Sequence, residues 1–596
     1  MRLLTRLALF LAAILLLASC GLARQDVSLS DEDRAAACAV VRDALTSASG
    51  ETAHHALPSR LAAPFDGEVF ITAYQPSGAS IQGGFRGLSL ADSLSTASRE
   101  MRRSKEWKDG RFEGAPLTIQ VDVVSARGKI PIPHPKVSSY LLTAGLDGAY
   151  MTFRDKAYYL LPSHILHRGI ALSQVTTLLG KGRGVPLDLK QRQPPRFYRF
   201  RTVSFLQAAD GGPAVPLFRG APLVSNVTAR SLLETCVRAG ECLLRLQRAD
   251  GRFHYWYYPA TDRYGARDEK EYNLLRHAGT TYCLYQLAGA TGRDDFKQAA
   301  DAALAWLLER VEESDDGALA YPLSGKVVRL GGAGLTLLAL LERAKVSSAK
   351  DLDARIGQLG AFLVSQQNGD GSFRNAYSPN ARRKVAQRPS LYYPGEAGLA
   401  LARLHAYDGN RRWRDAAARG ADFLVHRRGS LFGIELTVAP DSWLMMALAE
   451  LHRGAPDEKR DAYCFRIGRA MVADQIGEGD AVLDYVGGFL PRPPEVTPAA
   501  SRLEGLTAAY GLARETGRPT DDWLRAIRLA ARFQATCQIG PETAVMWASP
   551  ARALGVFRGG PEDSSMRIDY AQHNISSLLA ATRILREIED AGPASR

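Results

Sequence analysis

The stretch LRLQRADGRF at 244–253 ends a helical run with Gln247, turns on Asp250-Gly251 and closes on Phe253. VSQQNGDGSF at 364–373 repeats the device. Looser versions recur as ERVEESDDGAL at 309–319, VHRRGSLFG at 425–433, ADQIGEGDAV at 473–482 and TCQIGPETAVMW at 536–547. A period of about 60 residues carried by such a turn marks an internal repeat. Around the turns the text has helical period: Leu232, Cys236, Ala239 and Leu243 share one stripe, as do Phe296, Ala299, Ala300 and Ala303. The spacing predicts helices near 228–247, 270–288, 293–312, 331–345, 351–367, 393–406, 411–427, 440–453, 458–475, 499–515, 519–538 and 569–589. Paired as hairpins, none can bury its apolar stripe alone, so neighbours must stack.

Six hairpins without polar end caps favour closure into an all-α (α/α)6 toroid over 226–596, with an open solenoid as the alternative. The turn resembles the Gln-x-x-Asp-Gly-x-Phe element of terpenoid cyclase and prenyltransferase toroids. Toroids of this shape also host six-hairpin glycosidases, polysaccharide lyases and sugar epimerases, so the resemblance is to an architecture and not to one activity. The chain has no Asp-x-Asp-Asp cluster and no Cys-His-Asp zinc set, which argues against isoprenoid chemistry. No metal site and no cofactor is expected.

The chain opens MRLLTRLALFLAAILLLASC, with Arg2 and Arg6 ahead of an apolar run, Leu7 to Leu17, too short to span a bilayer. Residues 1–19 read as a secretory signal. Leu17-Ala18-Ser19-Cys20 resembles the bacterial lipobox, which implies acylation of Cys20 and a lipid anchor in the cell envelope. Gly21 in place of Asp implies the outer membrane of a Gram-negative cell; a plain signal that happens to end in Cys is the alternative. Such a location excludes ATP, NAD and nucleic acid as ordinary substrates, so the net charge of +12 does not call for a nucleic-acid partner. With 46% hydrophobic and 23% charged residues the chain has the composition of a folded protein, which excludes disorder. Cys38, Cys236, Cys242, Cys283, Cys464 and Cys537 stand singly in apolar helical text, as buried free thiols do, with a disulfide from Cys236 to Cys242 or Cys283 as the alternative.

After a linker at 20–32, residues 33–205 mix helical runs with alternating stretches such as EVFITAY at 68–74 and LTIQVDVVSA at 117–126, an α+β pattern. A Gly/Pro-rich linker at 206–225 separates it from the toroid, making the chain multidomain. The order of a leading helix, IQGGFRGLSLADSLSTASREMRRSKEWKDGRFEG at 81–114, LTIQVDVVS, GAYMTFRDKAYYLLPS at 148–163 and PRFYRFRTVSF at 195–205 resembles the AMMECR domain, of the AmmeMemoRadiSam system protein A type. That family carries a Cys in an Arg-Gly-Cys-Ile-Gly stretch where this chain reads Gln82-Gly83-Gly84-Phe85-Arg86-Gly87. Without a thiolate nucleophile the domain is expected to bind or scaffold. Its glycines are expected in a tight turn of positive φ.

If the odd helices form an outer ring, all even helices begin at one mouth. Polar residues gather there: Glu269, Glu271, Arg276 and His277, then Tyr392, Tyr393 and Glu396, then Glu435 and Asp441, then Arg502 and Glu504, then Arg567, Asp569, Gln572 and His573. Carboxylates and imidazoles around one basin suit acid/base work on a sugar. The expected catalytic set is Glu396 and Asp569 as paired carboxylates, His277 or His573 as proton carriers, and Glu504 and Asp441 in support. Arg276, Arg502 and Arg567 would grip anionic groups. The aromatic run containing Tyr255, Trp256 and Tyr257 would stack on sugar rings or cover the rim, with Tyr392 and Tyr393 beside it. Arg382, Arg383, Lys384 and Arg388 would steer an acidic glycan. Ordinary helix capping accounts for several of these acids equally well. The expected partner is therefore a polysaccharide or other envelope glycan, cleaved, eliminated or epimerised. Binding of a glycan or peptide without turnover, and scaffolding, are the alternatives.

Overall fold

A computed structural model describes residues 21–46, 57–110, 112–131, 134–181, 194–265, 270, 272–347, 350–380, 385–432 and 438–592. The signal stretch with Cys20, and Glu269, Glu271, Arg382, Arg383, Lys384 and Glu435, lie outside these residues.

The carboxy-terminal part holds twelve long helices among the described residues: α1 Ala229–Leu246, α2 Leu274–Thr291, α3 Asp294–Leu308, α4 Leu330–Val346, α5 Asp353–Ser365, α6 Tyr393–Asp408, α7 Arg411–Phe432, α8 Ser442–Gly454, α9 Glu458–Ala473, α10 Val496–Glu515, α11 Asp521–Cys537 and α12 Ile568–Asp590. Each even helix packs on the next even helix, and α12 packs on α2, so the inner ring is closed. The odd helices lie outside, with α1 against α12 completing the circle. This is the toroid, not the open solenoid.

Composition explains which helices go inside. Along α4 every residue from Leu330 to Glu342 is buried, and Gly331 and Gly334 let neighbouring inner helices approach. The outer helices keep charged faces, as α11 does with Asp521, Asp522, Arg525 and Arg528. Short turns such as Gly292-Arg293 join inner to outer helices at one end, with Gly292 left-handed at φ 68°. Long loops join outer to inner helices at the other.

Those long loops contain the repeated turn, and its chemistry is structural. Gln247, Gln367, Gln475 and Gln538 pair as isolated bridges with Phe253, Phe373, Phe489 and Phe557. Each glutamine amide donates to a backbone carbonyl of another outer helix: Gln247 to Ala299 at 2.8 Å, Gln367 to Ala416 at 2.9 Å, Gln475 to Ala526 at 3.0 Å and Gln538 to Thr235 at 2.9 Å. The last bond stitches α11 to α1 across the ends of the toroid. The turn glycines Gly251, Gly371, Gly487 and Gly555 have φ between 82° and 91°, and a Cβ on any of them would lie within 2.5 Å of a carbonyl oxygen on that same helix. Two of the six repeats depart from this. The one at 309–319 becomes a β-hairpin, Val311–Glu313 with Ala320–Pro322, and at 425–433 helix α7 runs on to Phe432.

Residues 23–217 contribute an antiparallel sheet of β1 Ala23–Arg24, β2 Val69–Tyr74, β3 Ser80–Phe85, β4 Thr118–Ile130, β5 Gly148–Phe153, β6 Lys156–Leu160, β7 Arg196–Gln207 and β8 Val215–Leu217. The order is β3-β2-β4-β7-β5-β6, with β1 on β4 and β8 on β7. Helices Asp31–Thr46 and Leu90–Arg103 cover one face through Cys38, Val41, Leu94 and Met101. The expected glycine turn is corrected here. Gly83 and Gly84 lie in β3 without positive φ, and their role is close packing: a Cβ on Gly84 would fall 2.5 Å from the Phe70 ring, and one on Gly83 3.0 Å from the Ala97 carbonyl. All six described cysteines are buried and free.

Arg219 rivets sheet to toroid. It sits at φ 52°, its Nε donates to Asp484 at 2.6 Å, and a terminal nitrogen reaches the Ala144 carbonyl. Both partners of the ion pair are nearly inaccessible, with side chains 1% and 4% exposed.

Candidate active site

The inner helices all begin at the end carrying the long loops. Asn273 caps α2 and Asp441 caps α8 through their side chains, and Pro394 stands in the first turn of α6. Between these ends lies a cavity of about 660 Å³. Of the expected residues it brings together Arg276, Tyr392, Tyr393, Glu396, Arg502, Arg567, Asp569 and His573.

Glu396 is the most unusual group in it. The side chain projects from the first turn of α6 over Gly331, where a Cβ would lie only 2.0 Å from Glu396 Oε2. The residue is 4% exposed and its Oε2 has no hydrogen-bond partner. Burial, with the nearby charge of Asp441 adding to it, pushes its pKa from the usual 4.5 to about 8. Burial thus favours the protonated, neutral form of Glu396, in the wall of the cavity.

Asp569 is the opposite case. Arg567 grips it with two nitrogens at 2.5 and 2.8 Å, and Arg276 Nε adds a third contact at 3.1 Å. Both oxygens are thus occupied by guanidinium groups, which makes Asp569 an anchor for two arginines and not a free partner for Glu396.

His573 and Glu504 form a buried pair, Nδ1 to Oε2 at 3.0 Å. Burial works against the imidazolium, but the attraction and hydrogen bond of Glu504, with Asp569 behind, outweigh it and hold the pKa above its usual value. Glu504 is itself pushed up by burial. It lines a second cavity, of about 610 Å³, at the far end of the toroid. The pair therefore has one member on each cavity, His573 on the first and Glu504 on the second.

Arg502 is the third arginine of the mouth. No ion pair to it forms among the described residues, its Nε is buried without a partner, and burial lowers its pKa. Its guanidinium lies 5.2 Å from the Phe489 ring centroid.

Three expectations are corrected. His277 is fully buried in the toroid wall, its Nδ1 2.7 Å from Tyr272 Oη and its Nε2 2.8 Å from the Ala303 carbonyl, and burial lowers its pKa to about 4. With both nitrogens occupied it is a satisfied core histidine outside the cavity. Asp441 is a helix cap, accepting from Leu444 N at 3.0 Å, and pairs with the buried Arg428. Tyr255, Trp256 and Tyr257 do not line the cavity. Trp256–Tyr258 is a strand paired with Met566–Arg567, so the aromatic run props up the start of α12. Tyr255 accepts a hydrogen bond from Arg276, and Arg567 lies 5.0 Å over Trp256. Arg388 lies on a neighbouring rim pocket with Tyr392 and Tyr393.

The aromatic walls come from the expected Tyr392 and Tyr393 and from Trp443, Tyr570 and Phe489, which the sequence pattern did not single out. Trp443 and Tyr570 stand in the first turns of α8 and α12, so the positional rule that selected Tyr392, Tyr393 and the carboxylates would have found them had it been applied to aromatics at every inner helix. Gln572 also lines the cavity with its amide nitrogen unpartnered.

The chain matches no family model and no curated protein. Among solved structures, a D-mannose isomerase aligns with a TM-score of 0.45 at 13% identity, over 60% of this chain and 97% of that one. Cellobiose 2-epimerase from Bacillus thermoamylovorans B4167 gives 0.46 at 12% identity, over 60% and 98%. The uncharacterized protein PH0010 from Pyrococcus horikoshii gives 0.25 at 20% identity, over 31% of this chain and 95% of its own.

Proposed function

We propose that the toroid is a carbohydrate-active enzyme that works by acid/base chemistry on an envelope polysaccharide. The observation that carries this reading is Glu396, a carboxyl in the cavity wall that is nearly inaccessible and has one oxygen without a hydrogen-bond partner; such burial favours the neutral form a general acid needs. In this reading Glu396 gives its proton to the sugar oxygen that gains charge as a bond breaks or rearranges. His573, backed by Glu504, takes up or returns the second proton. Arg276 and Arg567, aligned by Asp569, and the unpaired Arg502 hold the acidic groups of the glycan, which favours a uronate-bearing substrate. Tyr392, Tyr393, Trp443 and Tyr570 offer ring faces to the sugar. Hydrolysis, elimination and epimerisation all use this pair of proton transfers, and product analysis separates them.

The test is turnover of neutral and uronate-bearing glycans by the protein, compared with Glu396→Gln and Asp569→Asn. Loss of turnover in Glu396→Gln with binding retained supports the proposal. A wild type that converts none of the panel sinks it.

A second reading, glycan binding without turnover, draws on the saturation of Asp569 by two arginines. It predicts saturable binding that Glu396→Gln leaves unchanged. For the rest of the chain we propose a lipid anchor at Cys20 in the outer membrane and an AMMECR-like binding or scaffolding unit at 33–205. Both rest on the sequence resemblances, and fatty-acid labelling that survives Cys20→Ala would refute the anchor.

A further inference from the structure

A separate cleft of about 460 Å³ lies between the sheet and the toroid. The sheet side presents the hydroxyls of Ser163, Thr202 and Ser204, and the toroid side presents Val482 and Tyr485. Behind the hydroxyls stand two side chains with no exposed surface, Gln120 and Asp122. Asp122 accepts from Ser204 at 2.5 Å, from Thr202 at 3.3 Å and from Gln120 at 2.8 Å, and Gln120 also donates to Ser163 at 3.0 Å.

Burying a carboxyl and an amide inside a sheet is unfavourable unless their hydrogen bonds are met. Here those bonds fix three hydroxyls that face one cleft, the arrangement of a binding surface oriented from behind. Burial raises the Asp122 pKa to about 6, with the three donors opposing it. The cations of the cleft are already neutralised: Arg201 by Asp147 at 2.8 Å, and Arg219 by Asp484 and Glu562. A charge-balanced wall in which Thr202 and Ser204, their protons given to Asp122, present acceptor oxygens and Ser163, accepting from Gln120, keeps a proton to donate, beside the Phe218 and Tyr485 rings, suits an uncharged polyhydroxylated molecule better than an anion.

We propose that this cleft is a binding site for a small neutral sugar, a mono- or disaccharide, distinct from the toroid basin and requiring both parts of the chain. The proposal does not depend on the toroid being an enzyme.

The test is calorimetric titration of the full chain with mannose, glucose and cellobiose, and with glucuronate and inorganic phosphate as anionic probes. The background is a Glu396→Gln/Arg502→Ala double variant, which disables the toroid basin. Expected is saturable binding of a neutral sugar at one per chain, unchanged by the background substitutions. Ser204→Ala should weaken it by about tenfold, the loss of one well-placed hydrogen bond. Ala481→Trp, at an exposed position on the toroid rim of the cleft, should abolish it without touching the buried network, and so decides the matter if Ser204→Ala fails to fold. Absence of neutral-sugar binding, preference for the anions, or binding indifferent to Ala481→Trp would overturn the proposal.

Discussion

The two ends of the toroid hold cavities of similar size, about 660 and about 610 Å³, and both are rich in charge. They differ in how that charge is satisfied. At the end where the inner helices finish, Arg403 meets Glu342 and Glu450, Arg453 meets Glu450 and Glu515, and Arg514 meets Glu587. At the end where they begin, Glu396 Oε2, Arg502 Nε and Gln572 Nε2 are buried without partners. Leaving such groups unmet costs free energy, so the paired charge is accounted for by the fold, whereas the unmet groups gathered at one cavity are what the proposed ligand would satisfy.

The sharpest way to break this contrast is to remove one acid from each end. Glu396→Gln should lower turnover by about 10²- to 10⁴-fold, the usual contribution of a general acid, and should not lower thermal stability. Glu450→Gln at the paired end should do the reverse. Equal activity losses would erase the distinction.

Next in size is Asp441→Asn, which keeps an acceptor for the α8 cap but strands the buried Arg428. Breaking a buried pair in this way costs about 3–5 kcal/mol, read as a lower urea midpoint. A midpoint equal to that of wild type would show that Asp441 serves something other than the fold.

Glu396 also predicts a pH effect of known sign. Its folded pKa of about 8 lies above the ordinary 4.5, so between these values the folded chain holds a proton that the unfolded chain has lost. Stability from this group is complete below about pH 4.5 and is lost as pH rises through about 8. Urea midpoints compared at about pH 5 and about pH 9 should therefore differ less in Glu396→Gln than in wild type.

Smaller again is Gln538→Ala, which removes the amide stitching α11 to α1 and leaves the Thr235 and Gly555 carbonyls short of a donor. A cost of about 1–3 kcal/mol is expected, with activity kept. Smallest is Arg514→Ala at the paired end: its ion pair with Glu587 is half exposed, and such pairs contribute about 0–1 kcal/mol. Thermal melts of the two variants test the order.

Helix number and place were legible in the sequence because each helix carries its own apolar stripe and its own stop. The expected helix over 331–345 appears as Leu330–Val346, and that over 411–427 stops short only because α7 runs on to Phe432. The site was legible by position, since residues in the first turn of an inner helix must face the mouth. Position alone misassigned His277, which shares that turn but points outward to Tyr272 and Ala303, and it passed over Trp443 and Tyr570. The repeated Gln and Gly were recognised as a motif, but their partners lie on another outer helix, some 50 residues away for Gln247 and 300 for Gln538.

The sequence alone determined that there would be helices in pairs, where each would begin, and that they would have to stack, because periodicity and turn chemistry act over a few residues. Only the tertiary structure decided which acid is paired and which is left bare. Asp569 and Glu396 occupy like places at the start of inner helices. Arg567, two residues away, and Arg276 from the neighbouring inner helix both reach the first, and no arginine among the described residues is bonded to the second; the Arg276 contact depends on ring closure bringing α2 against α12.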